Sequence, residues 1–383
     1  MTSVRNKLKI LALAGIALGL TAVALPAAAT GTAAGTSITN RAVVSYSVGG
    51  VAQTVINSSP TGNSTPGVGL GADTAFVVDR LVNFTLTTVD TTAIVGTPGQ
   101  TSLITTFLVT NTGNSTESYN ALAANVLGGT VFTTNIDTID VANIKVYFGP
   151  DATTAYNAGT AVAAALAPDI AQDTGRRIFV LADLPVAATN GAGANVRLSV
   201  KAAAATSLGA TLETATNAAD TAGAVDVVIS ASVASTAGSV TTSLKTADSG
   251  YAVQAPTLSV AKSEVVISDP VNGLTNPKAI PGATVEYTLS ITNTGAVAAN
   301  GVSFTDPVST VLTLLQNTYS GTNNVSITAN GTTRFCVAEA GADGNADGCL
   351  FSANTLTVNP STPIVIPSGA NNVATVKYRV TIN

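Results

Sequence analysis

Cys336 and Cys349 are the two cysteines of the 383-residue chain, and between them lies the loop VAEAGADGNADG. Two cysteines at short separation in a chain with a secretory start are expected to pair, and closing so small a loop stabilises a fold by roughly 3 kcal/mol in the chain-entropy picture. Within the loop, Asp343, Asn345 and Asp347 alternate with small residues and end on Gly348. This is the first half of a calcium-loop pattern, in which oxygens at alternate positions converge on one cation. The closing bidentate glutamate of such a loop would fall at 354, where the chain has Asn354. A calcium site here is therefore weak, or borrows Glu339. The plainer alternative, a solvated acidic turn, uses the same Asp, Asn and Gly residues and is the favoured reading.

Other chemistry is limited by what is missing. The chain has no histidine and no tryptophan. No Ser/His/Asp or Cys/His relay can be built, nor a histidine-bearing zinc site, so the chain reads as a non-enzyme that needs no cofactor. Only 10% of residues are charged and the pI is about 4.7, which argues against nucleic acid as a partner. Asp269 and Asp306, each followed by proline, read as turn or strand-end residues, and Arg176-Arg177 reads as a solvated edge.

The elements that must hold these residues begin after a leader. Arg5, Lys7 and Lys9 precede an apolar run from Ile10 to Leu25, followed by Pro26 and Ala27 to Ala29. That layout predicts a signal peptide over residues 1–29 and a secreted or bacterial cell-surface protein. No later apolar run approaches the ~18 residues of a membrane span. Residues 36–56 predict a β-hairpin turning at Gly49-Gly50, and residues 57–74 a Pro/Gly/Ser linker or long loop, so that 30–75 form an N-terminal hairpin and linker. A first sandwich is expected over 76–250 and a second over 255–383.

The two sandwiches share a sentence. PGQTSLITTFLVTNTG begins at Pro98 and PGATVEYTLSITNTG at Pro281. In the second copy Val285, Tyr287, Leu289 and Ile291 alternate with polar residues, the period of a half-buried strand. In the first, Leu103, Phe107 and Val109 point inward, and Ile104 and Leu108 suggest cover on the other face, which the hairpin could supply. Residues 178–202 and 355–382 each read as strand, Gly/Asn turn and strand, so the copies are expected to close alike. Many short strands with turns between them predict an all-β sandwich architecture.

The same residues resemble the bacterial conserved surface-repeat domain, domain of unknown function 11: Pro-Gly, an alternating strand, Val-Thr-Asn-Thr-Gly, then a Thr-Asp strand. The second copy carries Pro281, Gly282, Ile291, Asn293, Gly295 and Asp306; the first carries Pro98, Gly99, Val109, Asn111 and Gly113 and lacks the Thr-Asp strand. The resemblance implies tandem immunoglobulin-like β-sandwiches serving as surface or spacer modules. The function it suggests is a structural or assembly role, with self-association or other surface proteins as partners and strand pairing as the means. The alternatives are an adhesin or ligand-binding surface module and, more remotely, a hydrolase using a carboxylate pair.

Overall fold

In the computed structural model the described residues are 31–132, 135–216 and 218–383. The leader expected at 1–29 lies outside them. Among the described residues the one helical element is the 3-10 turn Ala164–Leu166, and none is long and apolar enough to cross a membrane.

Six short strands make an N-terminal arm: β1 Ser37–Asn40, β2 Val43–Val44, β3 Ser47–Val48, β4 Val51–Ala52, β5 Ile56–Asn57 and β6 Thr74–Val77. They pair β1 with β6, β2 with β5 and β3 with β4, all antiparallel. At the tip Gly49 and Gly50 have φ of 55° and 83°, which suits the two-residue turn expected there, since both central residues of that turn need positive φ. Of the two readings of residues 57–74, linker or long loop, the long loop is the one observed. Asn63 Nδ2 donates to the Asn57 carbonyl at 2.9 Å, Ala72 N donates to the Ser58 carbonyl at 3.1 Å, and β1–β6 pairing closes the segment into a loop. Nor does the arm supply the cover expected for Ile104 and Leu108: Val43, Val44, Val48 and Val51 are each more than half exposed.

The first sandwich follows with β7 Arg80–Val82, β8 Phe84–Thr88, β9 Ile94–Gly96, β10 Leu103–Asn111, β11 Glu117–Asn125, β12 Thr130–Val131, β13 Asn135–Ile136, β14 Ala142–Phe148, β15 Val162–Ala163, β16 Gly175–Asp183, β17 Gly193–Ala204, β18 Val227–Ile229, β19 Ala234–Ala237, β20 Val240–Ser243 and β21 Lys245–Val253. One sheet runs β15-β14-β16-β10-β8 and the other β11-β17-β21-β9. In chain order these are the A-B-E-D and C-F-G sheets of an immunoglobulin-like sandwich, with β9 added parallel to β21. Alternation in β10 buries Leu103, Phe107 and Val109 and leaves Ile104 and Leu108 half-buried. Core residues come from both sheets, and the Phe84 and Tyr119 rings meet edge to face at 5.2 Å.

The second sandwich contains β22 Leu258–Ser268, β23 Thr284–Asn293, β24 Ala299–Val302, β25 Phe304–Pro307, β26 Leu312–Leu314, β27 Val325–Ala329, β28 Thr332–Cys336, β29 Glu339–Ala340, β30 Cys349–Ser352, β31 Thr355–Val358, β32 Ile364–Ile366 and β33 Val373–Ile382. One sheet runs β22-β23-β33-β27-β28, with β26 also on β33. Against it lie β25-β31-β30-β29 and the pair β24-β32. Val285, Leu289, Ile291, Val376 and Val380 from the first sheet form one core with Leu356, Val358, Ile364 and Ile366 from the second.

The two copies do not close alike. In the first, the strand beside the motif strand β10 is β16, and β17 crosses to pair with β11. In the second, the last strand β33 lies beside the motif strand β23, while β31 and β32, earlier in the chain, pair with β25 and β24. The structural equivalent of β33 is therefore β16. The similar patterns at 178–202 and 355–382 reflect strand alternation, which does not encode a partner.

The shared Asn-Thr-Gly has one role in both copies. Asn111 and Asn293 are fully buried. Asn111 Nδ2 donates to the carbonyls of Ser115 and Ile170 at 2.8 and 2.9 Å, and Asn293 Nδ2 to those of Val297 and Ile366 at 2.8 and 3.1 Å. A β-carbon on Gly113 would sit 2.3 Å from the Leu81 carbonyl oxygen, and one on Gly295 2.3 Å from that of Ala255. The motif is thus a lock between the motif strand, the next turn and the facing sheet, with glycine needed where the lead-in backbone presses against it.

Candidate functional site

Cys336, ending β28, and Cys349, opening β30, are bonded to each other and lie inside the second core. The loop they close is organised by its own acids. Asp343 accepts from the Asp347 and Gly348 backbone N–H groups at 3.2 and 2.9 Å. Asp347 accepts from the Val337 and Cys349 N–H groups at 2.8 and 2.9 Å. Asn345 Oδ1 accepts from Asp347 N, and its amide nitrogen donates to Asp347 Oδ2, both at 3.0 Å. Gly344 N donates to Glu339. Gly348 has φ of 85°, and a β-carbon there would meet the Asn359 carbonyl oxygen at 2.1 Å. Asp343, Asn345 and Asp347 are thus brought together, and what the geometry displays is the capped turn.

A second cluster escaped sequence reading. The register of β22 on β23 sets Lys262 opposite Leu289, whose side chain enters the core, so Lys262 stands on the inward face of its strand. Its Nζ donates to Asp306 Oδ1 at 2.7 Å, reaching from one sheet to the other. The Tyr378 hydroxyl donates to the other oxygen, Oδ2, at 2.6 Å. The Lys262 amine also lies 4.5 Å from the Tyr287 ring centroid and 5.8 Å from that of Tyr378. The Asp306 side chain is 10% exposed and that of Lys262 37%. Burial, and then the Asp306 carboxylate, push the Tyr378 hydroxyl well above the usual phenol range. The signal was present in the sequence: Leu258, Val260 and Lys262 share one parity of an alternating strand, which puts a lysine where an apolar residue is expected.

The third cluster is in the first sandwich. Glu117, at the start of β11, is fully buried; Ser115 Oγ donates to its Oε1 at 2.6 Å, and Arg80 Nε lies 3.8 Å from the same oxygen while pairing with Glu213. Its other oxygen has no hydrogen-bond partner among the described residues. Desolvation raises the Glu117 carboxyl to about 7 from 4.5, against the lowering effects of Ser115 and Arg80, with Glu213 and Asp169 adding to the rise. Three sequence-distant residues meet here, and nothing local in the sequence announces it.

No protein-family model and no curated protein matches the sequence. Solved structures do show remote likeness. A family 123 glycoside hydrolase from Clostridium perfringens aligns at 10% identity and TM-score 0.24 over 45% of this chain. The chain spans only 27% of that hydrolase. A structure named BspA_C_WT aligns at 8% identity and TM-score 0.31, covering 78% of this chain and 90% of its own. The collagen binding domain of the Erysipelothrix rhusiopathiae surface protein RspB aligns at 15% identity and TM-score 0.19, covering 78% and 81%. Function has to be argued from this chain's own residues.

Proposed function

We propose that this protein is a secreted, non-enzymatic surface module, a member of the conserved surface-repeat group its motifs resemble, that builds higher-order structure by strand pairing. The observation that carries this reading is the N-terminal arm, whose Val43, Val44, Tyr46, Val48, Val51 and Phe76 are all exposed. A two-stranded ribbon is marginal in water on its own, and exposed apolar strands lower their free energy by docking on another surface. The long strand β22 offers a receptive element: among the described residues it pairs with β23 alone, leaving its outer edge open to another strand. The absence of histidine and the engagement of the acidic loop in its own turn support a non-catalytic role.

Negative-stain microscopy of the mature protein, with and without residues 37–77, tests this. Fibres or sheets formed by the full chain and lost on deletion are expected. Monodisperse particles in both preparations would sink the assembly reading and favour an adhesin or ligand-binding module.

A further inference from the structure

The Lys262, Asp306 and Tyr378 group has no counterpart in the first copy, and the loss is complete rather than partial. Counting from the shared Asn-Thr-Gly, Leu289 corresponds to Phe107 and Tyr287 to Thr105. Phe107 is paired with Thr88 where Leu289 is paired with Lys262, and Thr105 with Val180 where Tyr287 is paired with Tyr378. Counting the same way reaches Ala124 for Asp306; it is exposed where Asp306 is buried, and neither it nor its neighbours Ala123 and Asn125 is a carboxylate. The first sandwich therefore does without the trio, and within this chain amine, carboxyl and hydroxyl are present together or absent together.

The trio has the parts of an amide-forming site. A hydrogen bond of 2.7 Å from Nζ to Oδ1 places the nitrogen roughly 3–3.5 Å from the carboxyl carbon, a near-attack separation, and two groups so held react at effective concentrations of about 10⁵ M or more. The Tyr378 hydroxyl is already bonded to the oxygen that would carry negative charge during attack. The Tyr287 and Tyr378 rings, 5.4 Å apart, flank the amine at 4.5 and 5.8 Å and hold it beside the carboxylate.

We propose that Lys262 and Asp306 condense to an intramolecular amide that joins β22 covalently to β25 across the sandwich. The ammonium gives one proton to Oδ1, leaving a neutral amine facing a neutral carboxyl. The nitrogen lone pair attacks the carboxyl carbon, forming the N–C bond, while the Tyr378 hydroxyl stabilises the charge that develops on Oδ2. The C–Oδ1 bond breaks, Oδ1 takes a second proton from nitrogen, and one water leaves. No oxidant, metal or further reactant enters. The linkage pins the outermost strand of its sheet, which among the described residues is β-paired from one side only, and it is independent of whether the protein assembles.

Intact-mass measurement of the reduced, secreted full chain decides the matter. The wild-type chain is expected to be lighter than its sequence by one water, and Lys262→Ala and Asp306→Ala to match their sequences. Asp306→Asn is expected to lose ammonia instead, because the leaving group changes while the linkage does not. Tryptic digestion should leave the bond after Lys262 uncut and recover the segments holding 262 and 306 as one branched peptide. A wild-type chain at full sequence mass that trypsin cleaves after Lys262 would overturn the proposal and leave an ion pair. That result needs only wild-type protein and stands even where a variant fails to fold.

Discussion

Asn293 donates its side-chain amide to the Ile366 carbonyl at 3.1 Å, and Asn111 donates to the Ile170 carbonyl at 2.9 Å in the same place of the other sandwich. Both amides are fully buried, so truncation strands carbonyl groups with no water to replace the lost donor. Asn293→Ala is expected to cost about 1–3 kcal/mol, and Asn111→Ala a similar amount in the first sandwich. Denaturant melts followed by mass-resolved hydrogen exchange would assign each loss to its own sandwich. Equal loss of protection in both units from a single substitution would show that the locks are not local.

Glu117 makes the first sandwich pH-sensitive. Its folded carboxyl, held at about 7, binds a proton more tightly than the unfolded chain does with its ordinary value of 4.5. Between those values the folded state carries more protons, so stability falls as pH rises, by at most about 3 kcal/mol in all. Asp269 acts in the opposite sense: backbone N–H donors led by Asn272 hold it at about 2, so its contribution is present above 3.8 and fades as pH drops. Glu117→Gln is expected to flatten the melting profile between pH 5 and pH 8 and to raise stability most at the alkaline end. A variant whose profile still falls with wild-type slope would clear Glu117 of the effect.

Removing the disulfide should unsettle the second sandwich. Both sulfurs are in its core and the bridge spans a separation of 13 residues, so Cys336→Ser is expected to lower stability by roughly 3 kcal/mol. Chemical denaturation with and without reductant measures it. Matching curves for wild type and variant under oxidising conditions would mean that the bridge does not constrain the unfolded chain.

Calcium is expected to bind the acidic loop no more tightly than about 10⁻⁴ M, because Asp343, Asn345 and Asp347 already cap backbone groups and the closing glutamate is absent. Calorimetry at millimolar calcium, repeated on a chain carrying Asp343→Ala and Asp347→Ala, provides the check. A micromolar isotherm abolished by the double substitution would establish a true calcium site instead.

Much of the fold was legible because alternation and turn chemistry are local. The parity of β10 and β23, the Gly49-Gly50 turn and the cysteine pair all follow from neighbours in sequence. Partner choice does not. Nothing within 355–382 says that β33 joins β23 while β31 joins β25, since either pairing buries the same parity of residues. For the same reason Asp306 looked like a strand end: its partners Lys262 and Tyr378 lie 44 and 72 residues away. The arm's exposure was also invisible, because an apolar hairpin has the same pattern whether it is docked or free.

The strand order of the second sandwich has a consequence for how that unit comes into being. β33 fills the middle of its sheet, with β23 on one side and β26 and β27 on the other, yet it is the last of the unit's strands to be synthesised. Until Val373–Ile382 arrives, β23 and β27 have no common neighbour, and the sheet is three separate pieces: β22-β23, β27-β28 and the lone β26. The first sandwich has its central β16 before β17 and β21 exist, so it can begin to close while the chain is still emerging. Folding of the second unit therefore waits on β33, whereas the first can close strand by strand. Chains truncated before Val373 should keep the first unit's cooperative melt and lose the second's altogether.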